Sequence, residues 1–517
     1  MHTQRGESSG KSIIIIGAGI AGLSAGCYAQ MNGYRTRIFE LHSIPGGMCT
    51  SWKRKGYTID GCFEFLMGAG PGSNFHLFWQ ELGAVQGRQI IHVDEWTRVE
   101  WKDGTVLAFH TDMDRLEQDM KKLAPGDAAL IDEMIAAAWA YAGIVHLLPP
   151  LKTREVMGLS DVLKMMFTMS GFMKLSKKWG EFSLEEFAQR FRNPRLREAI
   201  TLNAMPGYLP TGHWLTNLAG IESKSIGYPL GGSLEFAKAI EQRYLGLGGE
   251  IQYRARVEKV LVEGDRAVGV RLADGTEHRA DIVISAGDGR TTIFGMLDGK
   301  YINDDVKGYY DNLPLTPPLL YIGLGVARTF DEPSSAFGTS FPLDEPVPIG
   351  GQEVDRIPVH IYNFDPTLAP EGKTVMRVKL DSDYDYWNRL RQEPERYKAA
   401  KEEAAKQVIG LLDRRYPGLA AQVEMYDVAT PVTFERYTGS WQGSYMGWRL
   451  TTQAAKIQMS KTLPGLGSFY LVGQWVEPGG GTPAAVMSGR GAIQIICKKD
   501  KKQFVAEVPS LDAEPAG

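Results

Sequence analysis

A glycine-rich turn follows directly on an apolar, β-branched run near the start of the chain. Residues 12–16 read Ser-Ile-Ile-Ile-Ile, and the turn carries Gly17, Gly19 and Gly22. The run predicts a strand covered on both faces, as in a parallel sheet, and a helix is predicted over 20–32. In such a unit the glycines allow a tight turn and a close approach of backbone to a pyrophosphate at the helix N-terminus. The spacing therefore predicts a dinucleotide-binding βαβ unit.

An acidic residue closes the next predicted strand, which covers 35–40. It is Glu40, eighteen positions after Gly22. A carboxylate here can accept hydrogen bonds from a ribose diol, and its charge would repel a 2′-phosphate. The chain then continues with Pro-Gly-Gly-Met at 45–48, where an NAD enzyme would continue with further βα units. This order favours FAD over NAD, and the sequence has no second dinucleotide fingerprint.

A second strand–turn–helix pattern lies near the C-terminus. A strand is predicted over 468–472, a glycine-rich turn over 477–481 and a helix over 483–497. The N-terminus of such a helix is an anion site, and we expect its dipole to face the N1–C2 carbonyl region of a reduced flavin. A purely structural strand–turn–helix is the other interpretation. The tail after Lys498 is predicted to be disordered, because its composition buries little.

Composition narrows the function classes. A chain of 517 residues predicts two or more domains, or one large domain that carries insertions. The formal net charge of −4 and the absence of a basic stripe argue against nucleic acid as a partner. Four scattered cysteines form no CxxC and no metal-ligand spacing, so we expect no metal and a reducing compartment. No apolar stretch reaches the roughly 18 residues of a membrane span. We expect a cytoplasmic protein, with contact to a membrane surface left open.

Four segments together resemble the phytoene desaturase family. They are the first glycine turn with Glu40, Pro-Gly-Gly-Met-Cys-Thr-Ser-Trp at 45–52, the strand at 280–288, and Pro-Gly-Gly-Gly-Thr-Pro at 478–483. The resemblance covers nearly the whole chain and is weakest over 120–220. The family includes carotenoid desaturases, carotenoid isomerases and retinol saturase, within the amine-oxidase-like flavoproteins. It implies non-covalent FAD and redox chemistry, desaturation or saturation, on carbon–carbon bonds of a lipophilic polyene or isoprenoid.

The resemblance also implies cofactor contacts, position by position. The first turn would meet the pyrophosphate, Glu40 the adenosine ribose, Val257 the adenine, and the later motifs the flavin and its ribityl chain. Gln474 departs from the pattern, since relatives often carry an acidic residue there, so an amide contact to the ribityl chain is expected. The residues implied to contact FAD are Gly17, Gly19, Ile20, Ala21, Gly22, Glu40, Gly46, Gly47, Met48, Val257, Gly473, Gln474, Gly480, Gly481, Thr482, Pro483 and Ala484.

Two carboxylates are candidates for catalysis. Glu64 follows the second glycine motif among apolar neighbours, and burial there would raise its pKa and suit acid–base work. An ion-paired or solvated glutamate is the other interpretation. Glu477, beside the C-terminal turn, is a second candidate. The aromatic residues Tyr437, Trp441 and Tyr445 are candidates to line a cavity for an apolar substrate, or to pack in the core.

A methionine-rich segment over 156–179 places Leu159, Leu163, Met166 and Met173 on one helical face, with lysines at its end. We hypothesise a face that contacts a membrane and admits an apolar substrate. A helix buried in the substrate domain is the alternative.

The predicted fold is α/β: a Rossmann-type, GR2-like FAD-binding domain with a mixed α+β substrate domain. The discontinuous FAD domain is predicted over 1–112, 225–300 and 455–517. The substrate domain is predicted as a helical part over 113–224 and a sheet part over 301–454. Oxygen or a quinone is the expected electron acceptor. Three alternatives stay open: a net non-redox isomerase of a polyene or unsaturated fatty acid, an oxidase of amines or fatty acyl chains, and a non-catalytic prenyl-binding chaperone.

Overall fold

The isoleucine run near the N-terminus forms the central strand of a five-stranded parallel sheet, called here the nucleotide sheet. In this computed structural model, residues 10–203, 206–332, 335 and 337–509 are described. The strands lie in the order Glu250–Gln252, Arg35–Phe39, Ser12–Ile16, Ile282–Ser285 and Phe469–Leu471. Ile13, Ile14, Ile15 and Ile16 are all buried, as expected for a strand covered on both faces. The predicted order of strand, turn, helix and strand is confirmed.

Three helices pack around this sheet: Ile20–Met31, Gly232–Gly246 and Gly481–Lys499. The first and last cross closely, because a Cβ at Gly489 would lie 2.7 Å from the Ala21 carbonyl oxygen. A separate antiparallel sheet contains Val257–Glu263, Arg266–Leu272 and Glu277–Arg279. Its first hairpin turns at Gly264 and Asp265, both with positive φ, as this glycine–aspartate pair predicts.

A seven-stranded mixed sheet, called here the large sheet, contains the strands of the predicted substrate domain. Its strands, in spatial order, are Val423–Ala429, Leu319–Val326, Thr374–Asp381, Gln352–Ile361, Thr339–Ile349, Glu95–Glu100 and Val106–His110. One face of it packs against the long helix Pro394–Arg415. The last two strands fall inside the predicted FAD segment 1–112. The predicted end of this segment at residue 112 therefore lies too far along the chain, because both strands pair within the large sheet. The rest of the domain division stays a prediction.

Helices lie over the stretch where a helical part was predicted, but each helix is short. Its helices are Met113–Leu123, Ala128–Ala142, Leu159–Thr168, Ser170–Trp179, Leu184–Ala188, Pro194–Thr201 and Thr211–Glu222. Most of them bury one face in a common core with the strands at 95–110. In the part of the chain that the structure describes, no helix is both long and apolar enough to cross a bilayer.

Shorter elements complete the fold. The strands are Ser51–Arg54, Tyr57–Asp60, Leu66–Met67, Ile90–Ile91 and Ile226–Pro229, and the helices are Asn74–Glu81, Asp304–Asn312, Tyr384–Leu390 and Pro431–Thr438. The predicted disorder of the tail is wrong for 501–509. Asn32 bonds to Val505, and Phe504 packs on Tyr28. The rest of that prediction, over 510–517, lies outside the described residues.

Candidate active site

The first glycine turn brings two of the predicted motifs together. Gly17 has a φ of +96°, in the left-handed region that glycine adopts without strain. A Cβ at Gly22 would lie 2.0 Å from the Gly17 carbonyl oxygen, so the helix packs directly on the turn. Gly19 forms a β-bridge with Gly46, whose amide donates to the Ala18 carbonyl over 2.9 Å. The first and second glycine motifs are therefore adjacent.

Glu40 lies beside this turn at the end of its strand. Its carboxylate accepts hydrogen bonds from the backbone amides of Ala18, over 2.6 Å, and His42, over 2.7 Å. Burial raises the pKa of Glu40, while these two bonds lower it. The Ala255 amide donates to the Glu40 carbonyl over 2.8 Å. This bond holds the segment just before the strand Val257–Glu263 beside Glu40. The roles of Glu40 at a ribose and Val257 at an adenine stay predictions.

The C-terminal glycine motif lies beside the first glycine turn, although the two are at opposite ends of the chain. Gly473 has a φ of +100°, and a Cβ there would lie 3.6 Å from the Ala21 Cβ. Its amide donates to the Ser488 hydroxyl over 2.8 Å, which ties the strand to the following helix. Gly480 and Gly481, both with positive φ, lead into that helix. The glycine motifs at the two chain ends therefore converge on one site.

The geometry of this site fits a dinucleotide. Among the described residues, no side chain caps the N-terminus of the helix Ile20–Met31 or of the helix Gly481–Lys499. Their first-turn amides are thus available to an anionic or polar group. A Cβ at Gly19 would meet only Gly46 and Gly47, at ordinary contact distances, so packing alone does not require glycine there. An open glycine beside free amides is what close approach to a pyrophosphate needs.

The other predicted cofactor contacts are distributed around this point. Gln474 lies against Gly447, since a Cβ at Gly447 would be 3.0 Å from the Gln474 carbonyl oxygen. The remaining residues lie in the first turns of the two helices or after the second glycine pair: Ile20, Met48, Thr482, Pro483 and Ala484. Their individual contacts with FAD stay predictions.

Glu64 belongs to a buried ionic group, called here the inner charge cluster: Glu64, His360, Arg377 and Lys379. Its carboxylate accepts hydrogen bonds from Arg377 and from Lys379. Burial alone would raise the pKa of Glu64, but the two cations outweigh burial and hold the pKa well below its usual range. The prediction of a raised pKa is wrong. At neutral pH Glu64 is an ionised carboxylate with two cationic partners, which does not suit it to donate a proton.

Glu477 is also paired. The buried Lys461 ammonium lies 2.9 Å from the Glu477 carboxylate and 3.6 Å from that of Glu155. Glu155 stands just before the methionine-rich helices, so this lysine links them to the C-terminal glycine turn. The pair shows a structural function for Glu477, and its role in catalysis stays a prediction.

The three candidate aromatic residues do not form one surface. Tyr437 is exposed and packs edge-on against His42, near Glu40. Trp441 is partly buried and packs in an aromatic group with Trp448 and Trp475, and its role at a substrate stays a prediction. Burial is the main cause that raises the pKa of Tyr445, and its role at a substrate stays a prediction.

Sequence reasoning missed the two cations that contact Glu64. Arg377 and Lys379 alternate with Met376 and Val378 along one strand, which is the pattern of a strand with a charged face. The alternation is visible in the sequence. Its meeting with Glu64, more than three hundred positions away, is not.

Comparisons with known proteins agree with this geometry. A family model described as flavin containing amine oxidoreductase matches residues 20–497. The chain is 26% identical over 490 residues to a chloroplastic prolycopene isomerase of Arabidopsis thaliana, covering 92% of this chain and 81% of the relative. It is 25% identical over 511 residues to a lycopene-forming phytoene desaturase of Pseudescherichia vulneris, covering 94% and 99%. A solved single-site variant of putrescine oxidase superposes with a TM-score of 0.61 at 15% identity, covering 94% and 99%.

The chain therefore belongs to the flavin containing amine oxidoreductase family. The predicted resemblance, the α/β fold with a Rossmann-type unit, and FAD as the cofactor are confirmed. The protein is an FAD-dependent oxidoreductase. The likeness to putrescine oxidase shows the fold alone.

Proposed function

We propose that this enzyme changes carbon–carbon bonds of a lipophilic polyene or isoprenoid, by desaturation or saturation. FAD, when bound, supplies the hydride-transfer chemistry, so the protein has to bind, orient and shield the reacting bond. The observation that carries the proposal is the match, across more than nine-tenths of this chain, to relatives named as a prolycopene isomerase and phytoene desaturases.

An exposed apolar face supports a substrate that resides in a membrane. The exposed fractions are 78% for Leu159, 49% for Leu163, 51% for Met166, 81% for Phe167 and 51% for Met173. All five lie on the helices Leu159–Thr168 and Ser170–Trp179. The alternative of a buried helix does not fit these values.

Charge around the face indicates which surface it meets. Residues 151–181 contain six basic and three acidic side chains. Lysines next to exposed leucine and phenylalanine are typical of contact with anionic lipid. We propose that this face rests on an anionic membrane and admits the substrate.

Flotation with liposomes tests the membrane contact. The wild-type protein is expected to float with phosphatidylglycerol vesicles, and the double variant Leu159→Ser, Phe167→Ser is expected to stay at the bottom. Leu245→Ser is the matched control, because Leu245 is 40% exposed on the helix Gly232–Gly246, away from the face. A wild-type protein that never floats, or a double variant that floats equally well, contradicts the proposal.

Anaerobic titration tests the reaction. Carotenoids, retinoids and polyunsaturated fatty acids are added separately to the FAD-loaded protein while the oxidised-flavin absorbance is followed. Bleaching by polyenes supports a desaturase. Product formed only after chemical pre-reduction supports a saturase if the flavin is reoxidised, or a net non-redox isomerase if it is not. No change in flavin or product with any polyene, in either redox state, overturns the proposal.

The electron acceptor belongs to the same proposal. We expect oxygen or a quinone to reoxidise the reduced enzyme, since the sequence carries no second dinucleotide fingerprint. Stopped-flow reoxidation by air-saturated buffer, by a soluble quinone and by NADP⁺ compares the three. Reoxidation by NADP⁺ alone would contradict this expectation.

A further inference from the structure

Two cysteines lie at the open end of the hairpin that follows the second glycine pair. The hairpin consists of the strands Ser51–Arg54 and Tyr57–Asp60, and Cys49 and Cys62 each lie two positions beyond it. Both are free thiols. They share one hydrophobic core, in which Cys49 is buried and Cys62 is packed at the edge. Neither the glycine turns nor the inner charge cluster explains why two thiols lie here.

The register of the hairpin, continued by one residue, brings Cys49 opposite Cys62. The strands pair in the antiparallel sense. The Gly61 amide donates to the Thr50 carbonyl oxygen over 2.9 Å, so the pairing extends beyond the strands. Hydrogen-bonded and non-hydrogen-bonded pairs alternate along such a ladder, and the cysteines fall at a non-hydrogen-bonded position, where opposite Cα atoms are about 4.5 Å apart. A disulfide joins Cα atoms that are about 4.4–6.8 Å apart.

Contacts with Ser233 hold both cysteines at the same place. The Cys49 thiol donates to the Ser233 carbonyl oxygen over 3.6 Å. The Asp60 carboxylate accepts hydrogen bonds from the Ser233 amide, over 3.1 Å, and from the Cys62 amide, over 3.0 Å. The Phe63 amide donates to the Ser233 hydroxyl over 3.0 Å. The residues around Cys62 are therefore bound to the same serine that binds the Cys49 thiol.

The two thiols differ in how they can react. Cys49 is 3% exposed, so burial raises the pKa of its thiol well above the usual value, and the neighbouring Cys62 thiol raises that pKa further. A thiol reacts as its thiolate, so Cys49 is a poor nucleophile toward a dissolved reagent. Cys62 is partly exposed and is the one of the two that such a reagent can reach. The other cysteines, Cys27 and Cys497, are buried in helices.

We propose that Cys49 and Cys62 are a redox-active pair that forms a reversible disulfide by exchange with a small-molecule disulfide. The Cys62 thiolate attacks one sulfur of the reagent, forms a mixed disulfide and releases one thiol. Cys49 then loses its proton to solvent, attacks the Cys62 sulfur and displaces the second thiol. The pair loses two electrons and two protons, and the reagent gains them as two thiols. This chemistry does not depend on the identity of the substrate.

The pair lies next to the glycines of the predicted cofactor site. The Cys49 amide donates to the Gly46 carbonyl oxygen over 3.0 Å, and Gly46 forms the β-bridge with Gly19. A disulfide would tie this segment to Cys62, two positions before Glu64. We therefore expect oxidation of the pair to change the spectrum of bound flavin. In a reducing compartment, disulfides are mostly transient and either catalytic or redox-sensing, which suits a reversible pair.

Peptide mapping tests the pair. FAD-loaded protein is equilibrated with oxidised and reduced glutathione at several ratios, free thiols are blocked with iodoacetamide, and the protein is digested with trypsin. Trypsin cuts between the two cysteines, at residues 53–55, so they fall on separate peptides, 38–53 and 56–88. Wild-type protein is expected to give these two peptides joined by a disulfide at oxidising ratios, and separate again when reduced glutathione is restored.

Single-cysteine variants assign the order of the two steps. Cys49→Ser is expected to stop at a mixed disulfide between Cys62 and glutathione. Cys62→Ser is expected to leave Cys49 reduced, because Cys49 is buried. Cys27→Ser is the matched control, since the Cys27 thiol is buried 3.7 Å from the Ile240 carbonyl oxygen, and it should give as much joined peptide as wild type. Retained flavin shows that each variant is folded.

Three results would overturn the inference. The first is a wild-type protein that gives no joined peptides even in oxidised glutathione alone. The second is a mixed disulfide that persists at Cys62 in wild type, which shows that Cys49 does not reach it. The third is equal oxidation of Cys27 or Cys497, which shows that the pair has no special reactivity. Joined peptides with an unchanged flavin spectrum overturn the expected effect on the cofactor site. The polyene function does not depend on any of these results.

Discussion

The cofactor site and the inner charge cluster are built from different chemical groups of the chain. At the cofactor site, glycine backbone from residues 17–22, 46–47 and 473–481 comes together, and the fit depends on the lack of side chains. In the inner charge cluster, long charged side chains from positions 64, 377 and 379 come together. A backbone site is encoded locally, by glycine spacing. A side-chain site depends on which distant strands the fold brings together.

Loss of a partner in the inner charge cluster should have the largest effect on stability. Glu64→Gln leaves Arg377 and Lys379 buried without their carboxylate, and we expect the free energy of unfolding to fall by about 3–5 kcal/mol. Urea denaturation measures the change. Glu263→Gln, which removes an exposed partner of Arg279, is expected to leave the free energy of unfolding nearly unchanged, because solvent screens that pair. Equal effects at the two sites would show that burial of the cluster contributes nothing.

Acid should destabilise the same cluster. The pKa of His360 is lowered from 6.5 to about 4 because the ring is buried, so as pH falls below 6.5 the unfolded chain takes up a proton that the folded chain does not. Folding stability should therefore fall between pH 6.5 and 4, by about 3 kcal/mol for this residue. Denaturation at several pH values, compared with His360→Gln, isolates the contribution. Parallel pH profiles of the two proteins would contradict it.

The glycine turn should respond to a single methyl group. Gly22→Ala places a Cβ within 2.0 Å of the Gly17 carbonyl oxygen, so we expect loss of bound flavin and a destabilisation of about 1–3 kcal/mol. Gly410→Ala is the control, since nothing lies within 4 Å of a Cβ there and it sits inside the helix Pro394–Arg415. The control should be more stable by up to about 1 kcal/mol. Full flavin content in Gly22→Ala would contradict the close packing of turn and helix.

The exposed apolar face should contribute least to folding. Phe167→Ser changes a side chain that is 81% exposed, so we expect the free energy of unfolding in detergent-free buffer to change by less than about 0.5 kcal/mol. Thermal and urea denaturation measure it. A loss of several kcal/mol would mean that Phe167 packs against the protein, contrary to the proposed membrane contact.

Sequence patterns predicted the nucleotide sheet well because hydrophobic runs and glycine turns are local signals. The strand Ser12–Ile16 begins and ends where it was predicted, and the helix Ile20–Met31 ends one residue before its predicted end. The strands at 95–110 were assigned to the wrong side, because strand pairing over hundreds of residues leaves no local mark. The sign of the Glu64 pKa shift was wrong for the same reason: apolar neighbours in sequence gave no sign of Arg377 and Lys379.

The central claim is that the two chain ends form one non-covalent FAD site. The most direct measurement is the flavin content of the purified protein, with an absorbance spectrum before and after acid denaturation and mass spectrometry of the released cofactor. The account predicts a yellow protein that releases stoichiometric FAD into the supernatant. A protein without a flavin spectrum, even after reconstitution with excess FAD, or with flavin that stays on the denatured chain, would contradict it.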